Sequence, residues 1–142
     1  MKEQNVKNHT QYVPGWHGFT MILIIALLVA SMVNIFQDAS NHWYSGSLFL
    51  VIAIIFVFLF WYARAFALKA QDRAIRAEEN LRHFIMCGKP LPSRLRLRQI
   101  IALRFASDEE FLELAQRASD EMLSPRQIKL AIKQWKPDFN RV

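Results

Sequence analysis

Two long apolar runs constrain this chain more than any other feature of its sequence. Phe19–Phe36 contains only three polar side chains, and Leu48–Ala63 contains none apart from the ring edges of Trp61 and Tyr62. Helices over these runs are roughly 27 and 24 Å long, close to the ~30 Å hydrocarbon core of a bilayer. A chain of 142 residues has too little other apolar mass to cover two such helices in water. The runs therefore predict two transmembrane helices rather than two buried helices of a soluble protein.

The distribution of charge predicts an orientation for these helices. The formal net charge is +6, and every Lys and Arg except Lys2 and Lys7 follows Tyr62. The intervening loop, expected over Gln37–Gly46, contains Asp38 and no basic residue. The positive-inside rule then places both termini in the cytoplasm. A cleaved signal peptide is the alternative for the first run, but no small-x-small cleavage site follows it and a second run comes within about ten residues.

These features predict an all-α protein, a transmembrane helical hairpin whose second helix extends into the cytoplasm and is followed by a small three-helix cytoplasmic module. A Pro14-Gly15 break precedes the first span, and Gly88 with the prolines after it ends the long helix. The predicted parts are a cytoplasmic N-terminal arm at 1–15, a transmembrane hairpin at 16–64 with spans at about 18–36 and 47–64, a juxtamembrane helical extension at 65–87 and a C-terminal helical module at 88–142.

Capping signals define the helices of the C-terminal module. The first is expected over roughly Arg94–Phe105. The second is expected from Ser107, with Glu110 completing a capping box, to about Leu123. The third opens with Ser124 as N-cap, Pro125 at the first helical position and Gln127 at N3, and ends near Trp135. A module of this size has a marginal core, so docking on the long helix is expected to add buried surface.

A stripe of small and apolar residues follows the second span, at alternating spacings of three and four. Its members are Phe60, Ala63, Ala67, Ala70, Ala74, Ala77, Leu81 and Phe84. This is the spacing of a coiled-coil seam, and alanine permits close helix contact. Alternatively, alanine is there only as the best helix former. The sequence leaves open whether the seam packs on the C-terminal helices or on a second chain.

The first span carries a second predicted packing face. Ala26, Ala30 and Asn34 recur every four residues, and small residues at that spacing let two helices approach closely. Its partner is expected to be the second span, with a second copy of the chain as the alternative.

Basic residues near the end of the second span are expected to meet anionic lipid headgroups. Each is worth ~1 kcal/mol close to the membrane surface, although a merely solvated basic face is the alternative. These residues are Arg64, Lys69, Arg73 and Arg76. Two ion pairs at i,i+4 are expected to stabilise the same helix, Asp72 with Arg76 and Glu78 with Arg82.

No catalytic, cofactor or metal site is predicted. The spacing of His9, Tyr12 and His17 fits no metal pattern. His83 follows Glu79 at i,i+4, which we interpret as a helix-surface contact rather than an acid–base pair. Cys87 precedes a helix C-terminus, where the dipole disfavours a thiolate, and is expected to be inert.

The sequence thus favours a structural or interaction protein that contacts lipids and either a protein partner or further copies of itself. An accessory subunit of a larger membrane complex is one form that this role can take. The alternative is a membrane-tethered nucleic-acid binder, because Arg94, Arg96, Arg98 and Arg104 precede two short helices. Against it, four acidic residues follow directly and would repel phosphate, and the alternative for the arginines is ion pairing with these residues and with lipid. They are Asp108, Glu109, Glu110 and Glu113.

Several stretches resemble an uncharacterised bacterial family of small two-span inner-membrane proteins. They are Asn8-His9 with Tyr12-x-Pro14, ARAFALKAQDRAIRAEENLRHF, RQIIALRFASDEE and LSPRQIKLAIKQWKPD. The resemblance covers nearly the whole chain, and it implies an inner-membrane location with cytoplasmic termini. It implies no reaction and assigns no functional residues.

Overall fold

In the part of the chain that the structure describes, the regular structure is helical, apart from an isolated antiparallel bridge between Ala106 and Trp135. The computed structural model describes residues 5, 12–37 and 39–138, so most of the predicted N-terminal arm lies outside the described residues. A π-helical turn at Gly15–Thr20 leads into α1 (Met21–Gln37), which is followed by α2 (Ala39–Cys87), α3 (Leu97–Leu103), α4 (Asp108–Asp120) and α5 (Pro125–Ala131). Contacts divide the chain into two compact units, one of residues 12–67 and one that includes residues 68–138.

Two helical segments are long and apolar enough to cross a membrane by length and composition. They are Gly15–Gln37 and Trp43–Cys87, and only 6% and 11% of their most apolar stretches are buried. The side chains of Phe36 and Trp61 are 84% and 70% exposed. The surface of the unit formed by residues 12–67 is therefore largely apolar.

The predicted loop between the two apolar runs is largely helix, so this prediction was wrong. α1 ends at Gln37 and α2 begins at Ala39, while the predicted turn residue Asp38 lies outside the described residues. No Pro or Gly occurs between Ala39 and Gly46 to stop a helix. Gly46 lies inside α2, where it packs closely against α1. A Cβ on Gly46 would lie 2.6 Å from Ile35 Cγ1 and 3.1 Å from Asn34 Oδ1.

The contact between α1 and α2 uses a different face of α1 from the one expected. Ser31 of α1 and Ala53 of α2 are buried, and the Ser31 hydroxyl donates to the Leu27 carbonyl at 2.6 Å. Ala26 and Ala30 are exposed, whereas Asn34 is half-buried beside Gly46. The two alanines therefore do not mediate the α1–α2 contact, and their packing on a second copy stays a prediction.

The second unit has a continuous apolar core supplied by α3, α4, α5 and the segments between them. The side chains of Leu103, Phe105, Phe111 and Ile128 are fully buried in it. The three helices expected in this region are present, although each of them is shorter than predicted. The Ala106–Trp135 bridge joins the segment after α3 to the segment after α5. Within it, the Lys136 amide donates to the Phe105 carbonyl at 2.8 Å.

Capping follows the sequence at two helix ends and departs from it at a third. Gly88 ends α2 with φ +71°, and its amide donates to the Phe84 carbonyl at 2.7 Å. The Ser124–Gln127 capping box of α5 is formed. Ser107 is the N-cap residue of α4, but Glu110 does not reach back to close a box. Its carboxylate instead accepts from the backbone amides of Lys133 and Gln134, at 3.0 and 3.1 Å.

Candidate interaction surfaces

The last third of α2 is attached to the C-terminal helices through Arg82. The guanidinium Nη1 donates to Glu79 Oε2 at 3.0 Å, and Nη2 donates to the Ala106 carbonyl at 2.9 Å. Nε donates to Asp108 Oδ1 at 2.8 Å, and Nη2 also reaches this oxygen. The guanidinium lies 4.1 Å from the centre of the Phe111 ring. We call Arg82 with Glu79, Asp108 and the Ala106 carbonyl the Arg82 junction.

The two carboxylates of the Arg82 junction have opposite pKa shifts. Burial raises the pKa of Glu79 above its ordinary value of 4.5, and the hydrogen bond from Arg82 opposes this effect. Asp108 is exposed, and the hydrogen bond from Arg82 lowers its pKa below 3.8. The difference arises because desolvation disfavours a buried charge, while a cation beside an exposed carboxylate favours its ionised form.

His83 and Asn80 bind the chain that follows α2. His83 Nδ1 lies 2.6 Å from the Lys89 carbonyl, so it carries a proton and donates it to this oxygen. Asn80 Oδ1 accepts from the Leu91 amide at 3.0 Å. The interpretation of Glu79 and His83 as a helix-surface contact was wrong, because both side chains are buried and bind different partners. His83 and Asn80 together hold the segment after α2 in place.

The alanine seam is not covered by the C-terminal helices. The five seam residues of the second unit, all exposed, are Ala70, Ala74, Ala77, Leu81 and Phe84, and we call them the open face. The other three, Phe60, Ala63 and Ala67, belong to the first unit. Ala63 is exposed, and Phe60 and Ala67 are half-buried. The face of α2 that packs on the C-terminal helices is a different one. Its buried or half-buried side chains are Ile75, Glu79, Arg82, His83 and Met86.

The basic residues of α2 are available to solvent. Lys69, Arg73 and Arg76 are exposed, and Arg64 is half-buried. The expected Glu78–Arg82 ion pair was wrong, because Arg82 pairs with Glu79 at i,i+3. Among the described residues no ion pair joins Asp72 to Arg76 either. An exposed basic surface therefore flanks the open face, and its contact with lipid headgroups stays a prediction.

Three of the four arginines suspected of binding nucleic acid line one groove. Arg94, Arg96 and Arg98 are exposed at a groove of about 590 Å³, whose other wall includes Ser119 and Met122. They form no ion pair within the described part of the chain, so the expected pairing with the acidic run was wrong for them.

Arg104 does not belong to this groove. It is buried, with Nε 3.3 Å from Asp138 Oδ2, and its guanidinium lies 4.6 Å from the centre of the Phe105 ring. Two of the four acidic residues bind other groups, since Asp108 pairs with Arg82 and Glu110 accepts from the backbone after α5. Because Arg104 is buried, the basic surface contains three of the four arginines that the sequence suggested.

The first unit has an apolar cleft of about 450 Å³ between α1 and α2. Trp16 and Phe60 stack at one side of it, with ring centroids 4.5 Å apart. His17 Nδ1 accepts from the Val13 amide at 3.1 Å, and its ring stacks on Tyr12. His9, the third residue considered as a ligand, lies outside the described residues. In the described ranges, no three His, Cys, Asp or Glu side chains are grouped to hold a metal ion.

Neither the Arg82 junction nor the face of α2 that packs on the C-terminal helices was predicted from the sequence. Asp108 and Arg82 are 26 residues apart, so no local spacing links them. One signal for the docked face was present. Ile75 is the only large apolar residue between Leu68 and Leu81, and a β-branched residue among alanines and charges is costly on an exposed helix surface.

Comparison with known proteins identifies the family of the chain. No curated protein and no solved structure matches it. One family model matches residues 1–142, the whole sequence, and its description is a family of unknown function, DUF6526. The uncharacterised family expected from the sequence is thereby confirmed, without an activity attached to it. The chain belongs to the DUF6526 family.

Proposed function

We propose that this chain is a membrane-anchored interaction protein whose second unit presents the open face of α2 to another polypeptide chain. Residues 12–67 form a two-span hairpin in the cytoplasmic membrane of a bacterium, and both termini are cytoplasmic. The protein serves as a structural or accessory subunit of a larger membrane assembly. The observation that carries the proposal is that apolar side chains remain exposed along both long helices and on the open face.

Exposure of the first unit supports insertion into lipid. Phe49, Phe56 and Phe58 are each about half exposed along α2, and many neighbouring aliphatic side chains are similarly open. Burying a large apolar side chain is worth roughly 1.5–3 kcal/mol. More than a dozen such side chains left in water would cost more than the ~5–15 kcal/mol by which a domain is stable. A bilayer removes this cost.

The charge distribution supports the orientation. Basic residues are absent between Val13 and Ala63 and numerous after it. Loops and tails rich in Lys and Arg stay on the cytoplasmic side of a membrane. Arg64, Lys69, Arg73 and Arg76 follow the second apolar run directly and bind anionic headgroups, each contributing about 1 kcal/mol.

Cysteine labelling in intact cells tests the anchoring and the orientation. In a Cys87→Ser background, Tyr44→Cys tests the N-terminal end of α2 and Leu130→Cys tests the C-terminal helices, because both native side chains are well exposed. A membrane-impermeant maleimide is expected to label the Tyr44→Cys variant from outside and the Leu130→Cys variant only after permeabilisation. The reverse pattern, or release of the protein by alkaline carbonate, contradicts the proposal.

Purification in mild detergent tests the interaction role. A stable assembly containing a second polypeptide, of the same or another kind, is expected at reproducible stoichiometry. A monodisperse monomer that retains no partner contradicts this role, whatever its orientation in the membrane.

Nucleic-acid binding is a second candidate function, favoured by one observation. Arg94, Arg96 and Arg98 line a single groove without ion-pair partners among the described residues. Phosphate contacts produce a steep salt dependence, so the full-length protein in detergent would retain DNA or RNA at low salt and release it at high salt. Replacing the three arginines by glutamine would abolish that retention. Absence of retention at low salt removes this candidate.

A further inference from the structure

We propose that the open face of α2 pairs with the open face of a second copy, forming a parallel, in-register helix dimer. This inference rests on the proposed function and names its partner. Between Leu68 and Cys87, α2 has two opposite faces. Residues of an α-helix are 100° apart, so the docked positions Ile75, Glu79 and Arg82 lie on the side of α2 opposite to Ala70, Ala74 and Ala77. The C-terminal helices therefore leave the open face accessible to another chain.

The open face ends in large apolar side chains rather than in alanine alone. Leu81 is 58% exposed, Phe84 is 53% exposed and the adjoining Ile85 is 74% exposed. In a coiled-coil register with Ala74 and Leu81 at a, and with Phe84 at d, these side chains form the apolar end of the interface. The alanines before them let the two backbones approach closely. The apolar end supplies affinity, because burial of large side chains is the main favourable term in association.

Charged residues on both sides of the open face favour a second copy of this chain as the partner, with its α2 parallel to the first. In this register Arg73 is at g and Glu78 is at e, five residues later. Position g of one helix faces position e of the following heptad on the other helix in a parallel coiled coil. Arg73 therefore faces Glu78 of the second copy, and two-fold symmetry repeats the pair. Both residues are exposed, and the described residues offer neither of them an ion-pair partner.

The remaining flanking positions are compatible with the same register. Gln71 and Ile85 are at e, while Asn80 and Cys87 are at g, so no like charges face each other. Membrane insertion also makes the parallel direction obligatory, because two copies with the same topology pass α2 through the bilayer in the same sense. An antiparallel pair would bring g to g and e to e, without the Arg73–Glu78 match.

Disulfide cross-linking in native membranes tests the dimer. In the Cys87→Ser background, Ala77→Cys places a thiol at d on the open face, and Arg76→Cys places a matched control at exposed position c. Oxidation is expected to convert the Ala77→Cys variant to a product of twice the monomer mass, with roughly tenfold less product from the control. Leu81→Glu in the Ala77→Cys variant is expected to remove the product.

Charge reversal separates specific pairing from random collision. In the Ala77→Cys variant, Arg73→Glu places like charges opposite each other twice, and about tenfold weaker association is expected. Adding Glu78→Arg restores opposite charges and is expected to restore the cross-link. No cross-link, a cross-link insensitive to these changes, or a product with another protein's mass overturns the second-copy assignment. If the labelling pattern of the Tyr44→Cys variant is as expected, such a result leaves the membrane anchoring intact.

Discussion

Arg82 joins three parts of the second unit with one side chain. Its guanidinium binds Glu79 on its own helix, the Ala106 carbonyl before α4 and Asp108 in the first turn of α4. A planar guanidinium with five donors can reach all three acceptors, which a lysine ammonium cannot do with the same geometry. From the sequence, Arg82 was predicted to pair with Glu78, because oppositely charged side chains at i,i+4 stabilise a helix. Tertiary packing selected Glu79 instead.

Arg82→Ala is expected to destabilise the second unit by about 3 kcal/mol, because it leaves the carboxylate of Glu79 buried without a cation. Arg82→Lys keeps the charge and is expected to cost about 1–2 kcal/mol. Urea unfolding measures this through Trp135, which packs on Phe105, once the other three tryptophans are replaced by phenylalanine.

The matched control for Arg82 is Arg76→Ala, which removes an exposed arginine of the same helix. Its effect is expected to stay within about 0.5 kcal/mol. Equal effects of the two alanine substitutions would contradict the assigned role of Arg82.

Glu79 gives the second unit a pH dependence of defined sign. Its pKa is raised by burial, so the folded state takes up a proton more readily than the unfolded state. The free energy of unfolding of wild type, relative to Glu79→Gln, is therefore expected to fall as pH rises from about 4.5 towards neutrality. Unfolding at pH 4 to 7, followed through Trp135, measures this difference. A flat or rising difference would contradict it.

Asp108 serves as the comparison in that experiment. Arg82 lowers its pKa, so the stability that Asp108 contributes is present above pH 3.8 and is lost as pH falls below it. Asp108→Asn is consequently expected to alter the pH dependence only at the acid end.

Among the elements, α2 differs most from its sequence-based description. Its apolar run and its charged continuation were predicted as one helix, and α2 does extend without a break from Ala39 to Cys87. Its first two turns were predicted as loop, because residues such as Ser40, Asn41 and Gly46 are typical of turns. Their preference is weak compared with the packing of two long helices. Gly46 contributes by allowing α2 to approach Ile35 rather than by ending the helix.

Gly46→Ala is expected to weaken the α1–α2 contact by about 1–3 kcal/mol, because the added methyl would meet Ile35 Cγ1 at 2.6 Å. Gly15→Ala is the control, since nothing lies within 4 Å of a methyl at that position. Thermal loss of protease resistance in detergent measures both variants. Equal midpoints for the two would contradict the tight contact at Gly46.

For the whole molecule, the features that could be predicted from the sequence are those that depend on residues close together in the chain. The all-helical class follows from periodicity, the two candidate spans from apolar length, and the end of α2 from Gly88. The packing faces were not predictable in the same way. Ala26 and Ala30 share a face by spacing, yet Ser31 is the buried residue of α1, because contact depends on how α2 approaches. The groove beside Arg94 likewise forms only once α3, α4 and α5 are packed.

The Arg82 junction has a consequence for the order of events during synthesis. Three of its groups, in Glu79, Ala106 and Asp108, leave the ribosome at different times, and Ala106 and Asp108 come well after α2 is complete. The guanidinium of Arg82 can therefore bind the Ala106 carbonyl and Asp108 only after α2 has been synthesised. We expect closure of the C-terminal helices to be the last folding step of the second unit, so that a released chain truncated before Ala106 exposes Arg82 to trypsin, whereas the full chain protects it.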